Sequence, residues 1–350
     1  MQIQLFQKVH ANDIAVFCRQ LSVLLNAGVT LVEAISILKG QGENHTLNMA
    51  LEDIHDRLQR GNILSEAMMR HDDVFAEFLI NMVKVGEASG TLDTVMVKLA
   101  DYYERDNKIN QKVRSAMTYP VILAILTVAV IILLMVKVLP MFTGILTQMG
   151  EEMPALTKGL IAVSNFFIEN FTILLLLIVG LFVFFRYFGK SDVGRYWFDW
   201  VKLSVPGVKT VTLKIVTARF SRSLSILLKS GIPIIGAVDI IRNMIGNRVV
   251  ERRFEVCSTA IKEGRGIAVP ISELNIFPGL LVHMITIGEN SGELDEMLGR
   301  TAGFFDAEVE ESIDRLTVMI EPLLIIVLGV VVGTIIISIM LPMIGIMTAL

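Results

Sequence analysis

The chain is short of charge and almost free of cysteine. Of its 350 residues 19% are charged and 53% hydrophobic, whereas a soluble globular domain carries about 25% and 45–50%. The mean hydropathy is +0.63, which argues against a soluble enzyme of one or two domains. Two cysteines, Cys18 and Cys257, make no disulfide framework and exclude a stapled secreted scaffold. A net charge of −4 lacks the basic footprint of direct nucleic-acid binding. Chemistry-bearing motifs are missing as well. His10, His45, His55, His71 and His283 form no HExxH and no metal spacing with cysteine. No Gly-x-Ser-x-Gly elbow occurs. Gly189-Lys190-Ser191 ends like a phosphate loop, but Phe184 stands where that motif needs its first glycine. The reading is no enzyme, no cofactor and no metal site.

What is present is length of apolar chain. Pro120–Leu139 contains one charge, Lys137, at its outer edge; Phe171–Phe185 is flanked by Glu169 and Arg186; Pro322–Leu350 has no charge. About 20 helical residues cross a 30 Å hydrocarbon core, so an all-α polytopic membrane protein with three transmembrane helices is expected. Basic residues set the orientation. Arg105, Lys108, Lys112 and Arg114 precede the first span, and Arg186, Lys190, Arg195, Lys202, Lys209 and Lys214 follow the second. Between those spans, Lys158 stands against Glu151, Glu152 and Glu169. The expected order is a cytoplasmic helical bundle (1–118), a span (119–141), a short external loop (142–166) and a second span (167–188). A second cytoplasmic bundle (189–320), a third span (321–346) and an external tail (347–350) follow. The N-terminal MQIQLFQKVHANDI has no signal core or cleavage site, so the first bundle reads as not exported. Trp197 and Trp200, beside Tyr187, Phe188 and Tyr196, suit an aromatic belt at the inner interface.

The two cytoplasmic regions are copies. Ala15–Val29 (AVFCRQLSVLLNAGV) matches Ala218–Ile232 (ARFSRSLSILLKSGI), and Val85–Asp93 (VGEASGTLD) matches Ile287–Asp295 (IGENSGELD). Tyr119-Pro120 aligns with Glu321-Pro322, and Leu139-Pro140 with Leu341-Pro342. This is a duplicated helical domain, each copy fused to a transmembrane helix. In the first copy, helical spacing runs through Phe17, Leu21 and Leu25 to Gly28, whose counterpart is Gly231. Thr30 through Glu33 fits a capping box. Further helices cover Met49–Leu58 and Phe75–Ala88, with a short one from Ser65. The last, from Thr91, runs on into the membrane.

In the matched turns, Gly90 and Gly292 are placed to end one helix with positive φ, while Asp93 and Asp295 fall in the first turn of the next. Together with Gly86 and Gly288 this reads as a tight helix–helix turn. The same turns could also present Glu87, Asp93, Glu289 and Asp295 to a partner. Asp101 and Glu104, one turn apart, are either solvated acids or ligands for a divalent ion between subunits. Pro120 and Pro322 are expected to start their spans, where a missing N–H costs little, and Pro140 and Pro342 to end or kink them. Gly329, Gly333 and Gly345 leave a groove for close helix approach.

The duplicated (V/I)GExSGxLD segments, the RxLSxLLxxG(V/I) helices from Arg19 and Arg222, and the proline-initiated spans together resemble one family along nearly the whole chain. It is the bacterial inner-membrane platform family of type IV pilus and type II secretion machines, PilC and protein F. The resemblance implies contact of the cytoplasmic acids with a hexameric assembly ATPase. It also implies contact of the membrane groove with pilin or pseudopilin helices, which the platform helps lift into a filament. Other inner-membrane assembly proteins and a second copy of the chain, in a dimer, are further implied partners. The chain begins almost at the first repeat, where many relatives carry a longer N-terminal segment. The machine could be an adhesion or twitching pilus, a competence pseudopilus or a secretion system. A stand-alone transporter or channel is the alternative, but it needs ionisable or unwound midplane elements that the spans do not offer.

Overall fold

The computed structural model describes residues 8–141, 155–189 and 191–349, and these are helical without a strand. The first copy forms α1 (Ala11–Asn26), α2 (Leu31–Leu38), α3 (His45–Gln59), α4 (Leu64–Met68), α5 (Glu77–Ser89) and α6 (Leu92–Leu133). Then come α7 (Ala155–Glu169), α8 (Phe171–Phe188) and α9 (Asp192–Ser204). The second copy repeats the first set as α10 (Val208–Lys229), α11 (Ile234–Arg242), α12 (Arg248–Lys262), α13 (Ala268–Glu273), α14 (Gly279–Ser291) and α15 (Leu294–Ala349).

The chain divides into two compact units. One comprises Met1–Lys112 and Asp199–Ser312, which takes in most of both copies. Local chemistry sets the helix ends. Asn44 and Asn247 accept backbone N–H groups at the start of α3 and α12. Thr30 accepts from Glu33 N at the start of α2. Gly28 and Gly231 adopt positive φ, and the next residue, Val29 or Ile232, bonds back to Leu24 or Leu227. The copies also keep equivalent ring pairs. Phe17 lies 5.9 Å from Phe75, and Phe220 lies 5.0 Å from Phe277. All four rings are buried, each contributing roughly 1.5–3 kcal/mol by burial. The buried apolar residues of both copies belong to one hydrophobic cluster, and polar bonds also join the copies: Asn243 donates to Glu77, Arg219 pairs with Asp106 at 2.6 Å, and Lys108 pairs with Glu310 at 3.0 Å.

The other unit comprises Val113–Phe198 and Ile313–Leu350. Two helices of the described residues are long and apolar enough to cross a membrane, within Leu92–Met141 and Leu294–Ser338. Their apolar side chains face outward: Ile122, Ile125 and Leu126 on α6, and Leu323, Ile326 and Val330 on α15, are all exposed. Such a surface is at home in hydrocarbon.

The prolines depart from expectation. Pro120 lies inside the 42-residue α6, and Pro322 and Pro342 inside the 56-residue α15. None opens or ends a helix, because a transmembrane helix tolerates an interior proline where neighbouring groups satisfy the freed carbonyl. At Pro140 the adjustment is visible. Leu134–Val138 widens into a π turn in which Leu139 N donates to Leu134 O. The next bond of that ladder would run from residue 140 to Met135 O, and proline has no N–H to make it. The buried Ser164 hydroxyl of α7 donates to Met135 O instead, at 2.6 Å. Helix α7 thus occupies much of the segment expected to be an external loop.

Ser164→Ala should lower the thermal stability of the purified protein in detergent by about 1–3 kcal/mol. In a Pro140→Ala background, which restores the N–H, the same change should cost little. Equal cost in both backgrounds would refute the pairing.

Candidate functional site: the paired glycine–glutamate turns

Each matched turn is built from three devices. Gly90 and Gly292 close α5 and α14 with φ of 69° and 77°, conformations an L side chain resists. Thr91 N then reaches back to Gly86 O at 2.9 Å. Gly86 and Gly288 serve a different need, close approach. A Cβ on Gly86 would stand 3.1 Å from the Leu92 backbone, and one on Gly288 would stand 2.7 Å from Leu294 Cα. The glutamate between the glycines is the third device. The Glu87 carboxylate accepts from Leu64 N and from Ser65 N, the latter at 3.0 Å. The Glu289 carboxylate accepts from Ile267 N and from Ala268 N, the latter at 3.1 Å.

These bonds cap two very short helices. Ile63 and Ile267, at the starts of α4 and α13, offer no capping side chain, and the first N–H groups of a helix need an acceptor. A carboxylate also suits the positive end of the helix dipole. Glu87 and Glu289 are therefore engaged inside their own copies, a role their sequence context had not disclosed. The readable signal was an isoleucine, Ile63 or Ile267, at the cap position of both short helices. Asp93 and Asp295 lie half-buried in the first turns of α6 and α15.

The Arg19 and Arg222 helices are tied to the long helices by the same pairing in each copy. Arg19 grips Glu104 through Nε at 2.8 Å and also bonds Asp101. Asp101 and Glu104 thus already hold a cation of this chain, and the Arg19 hydrogen bonds keep the Glu104 carboxyl below its ordinary range. In the second copy Arg222 bonds both oxygens of Asp306, which is buried, and Arg105 of the first copy adds a bond at 3.0 Å. A groove of about 550 Å³ runs beside these pairs, but several of the charges lining it, among them Arg105, Lys108, Asp101 and Asp306, are engaged with one another or with neighbours.

The remaining candidates fall elsewhere. Cys18 and Cys257 are buried; burial pushes the Cys18 thiol far above its ordinary value and that of Cys257 up to about 12. Ser191 accepts from Gly194 N and donates to Phe188 O, so its hydroxyl builds the α8–α9 turn; Lys190 lies outside the described residues. Gly329 and Gly333 lie on α15 with open space where a Cβ would stand. Lys137 is exposed, in the π turn. Among the described residues no cluster of His, Cys, Asp or Glu could hold a metal ion.

Comparison with known proteins places this geometry. The profile of the family described as "Type II secretion system (T2SS), protein F" matches residues 17–140 and again 220–342, once for each copy. The chain is similar to the type IV pilus assembly protein PilC of Thermus thermophilus, 40% identical over 95% of this chain and 82% of the relative. PilC of Myxococcus xanthus is 36% identical over 96% and 81%. The type II secretion system protein F of Aeromonas hydrophila is 33% identical over 95% and 85%.

Two outcomes are expected. Glu87→Ala should accelerate hydrogen exchange at the Leu64 and Ser65 amides and cost about 1.5–3 kcal/mol, with Glu289→Ala acting likewise at Ile267 and Ala268. Unchanged exchange would exclude the caps. Neither thiol should take up a maleimide in the folded protein, and both should after denaturation, as counted by mass.

Proposed function

Because the chain belongs to the type II secretion system protein F family, we propose that it is the inner-membrane platform of a filament-assembling machine. It couples a cytoplasmic hexameric assembly ATPase to extraction of pilin or pseudopilin subunits from the bilayer. The observation that carries this reading is that α6 and α15 each continue without a break from a polar helical copy into an apolar stretch able to span a membrane. Force applied to the copies in the cytosol reaches the lipid phase through the helices themselves. On this proposal the partner, not this chain, burns the ATP.

In this reading α8, with 18 residues and about 27 Å of rise, is a third span. The N-terminus is cytoplasmic and the C-terminus external, as the basic residues beside the spans require. The platform works as a homo-oligomer alongside other inner-membrane assembly proteins. On the ATPase side, Glu87 and Glu289 fix the shape of the two turns, and Asp93 and Asp295 supply charge for contact. On the membrane side, Gly329 and Gly333 receive a pilin helix, since absent side chains let backbones approach closely.

Asp93→Lys combined with Asp295→Lys should abolish filaments and ATPase co-purification while leaving the protein folded and inserted; normal filaments would remove the acids from the contact. Cysteines introduced at Gly329 and Gly333 should crosslink to pilin in assembling cells. ATP hydrolysis by the purified chain, or solute flux through liposomes holding it alone, would overturn the platform reading.

A further inference from the structure

Among the described residues, helix α9 carries an apolar face that stays largely exposed. Val193, Trp197 and Trp200 are 71%, 45% and 52% exposed. At 3.6 residues per turn they stand on one side, while Asp192, Arg195, Asp199 and Lys202 stand on the other. The polar side is tied down. The Asp199 carboxylate accepts from Arg248 N at the start of α12, at 3.0 Å, and from Lys202 at 2.8 Å.

The start of α9 is folded sharply against the end of α8. Were the two helices collinear, Phe198 would lie about 20 Å beyond Phe185, yet their ring centroids are 6.1 Å apart. The rings of Phe188 and Trp197 also meet, at 6.5 Å. A Cβ on Gly194 would fall 1.8 Å from Phe188 O, so only glycine permits the reversal. An apolar 18-residue helix therefore hands over within a few residues to an amphipathic one that does not continue its direction.

We propose that α9 lies in the headgroup layer of an anionic phospholipid surface, its tryptophan face toward the acyl chains. Tryptophan belongs at that depth, with an apolar ring and an N–H for the wet side. Opposite and beyond the tryptophans, Arg195 and Lys209 supply the positive charge that anionic headgroups attract. The inference rests on the membrane reading of the preceding subsection but not on the ATPase or pilin roles.

The chain has two tryptophans, both on α9, so its fluorescence reports on this helix alone. The test uses the whole protein in vesicles of phosphatidylglycerol or of phosphatidylcholine, with bromine placed either near the headgroup end or near the methyl end of the acyl chains. Shallow bromine should quench about twofold more strongly than deep bromine, and more so in phosphatidylglycerol. Arg195→Gln with Lys209→Gln should erase the difference between lipids. Full access of acrylamide without bromolipid quenching would overturn the proposal, as would strongest quenching by deep bromine. Resistance of the same vesicles to alkaline extraction establishes insertion independently. Loss of the α9 signal in inserted protein therefore refutes this proposal and leaves the platform reading standing.

Discussion

One buried carboxylate ties the duplicated halves of this protein together. Asp306 receives Arg222 from its own copy and Arg105 from the other. Asp306 and Arg222 are largely withdrawn from water, and a buried charge left without its partner costs about 3–5 kcal/mol, so neither can be spared alone; Arg105, more open to solvent, adds the bond from the other copy. The equivalent pairing in the first copy is of another kind. Arg19, Asp101 and Glu104 are open to solvent, where an ion pair contributes about 0–1 kcal/mol. Duplication thus kept the chemistry and changed its strength, placing the strong version where the copies meet.

Local order was legible in the sequence because its causes are local. The helix ends at Gly28, Gly90, Gly231 and Gly292 follow from a glycine at the right offset from an apolar run, and the start at Thr30 from a capping side chain. The doubled motif itself led to the family. Pairings across the chain were not legible. Glu87 caps a helix 23 residues upstream, and Arg105 reaches a partner 201 residues away; periodicity says nothing about such contacts. Pro140 reads in sequence as ending or kinking its span; that Ser164 of another helix answers the carbonyl freed at Met135 could not be read there.

The three devices of each turn also show why the doubled motif has its composition. The first glycine sets the distance between two helices, the glutamate fixes a third, and the last glycine reverses the chain. One nine-residue segment thereby orients α4, α5 and α6, or their counterparts, at the point where a long helix begins. In the platform reading, this is where a push from outside becomes a movement along that helix.

The sharing of Asp306 also has a consequence for the order of events on the ribosome. Arg105 is made 201 residues before its partner. At about 5–20 residues per second, some ten to forty seconds separate the two. Through that interval the Arg105 guanidinium has no Asp306 to pair with. Its final seating against the second half is therefore a late step of biogenesis, completed only after translation has passed the second copy.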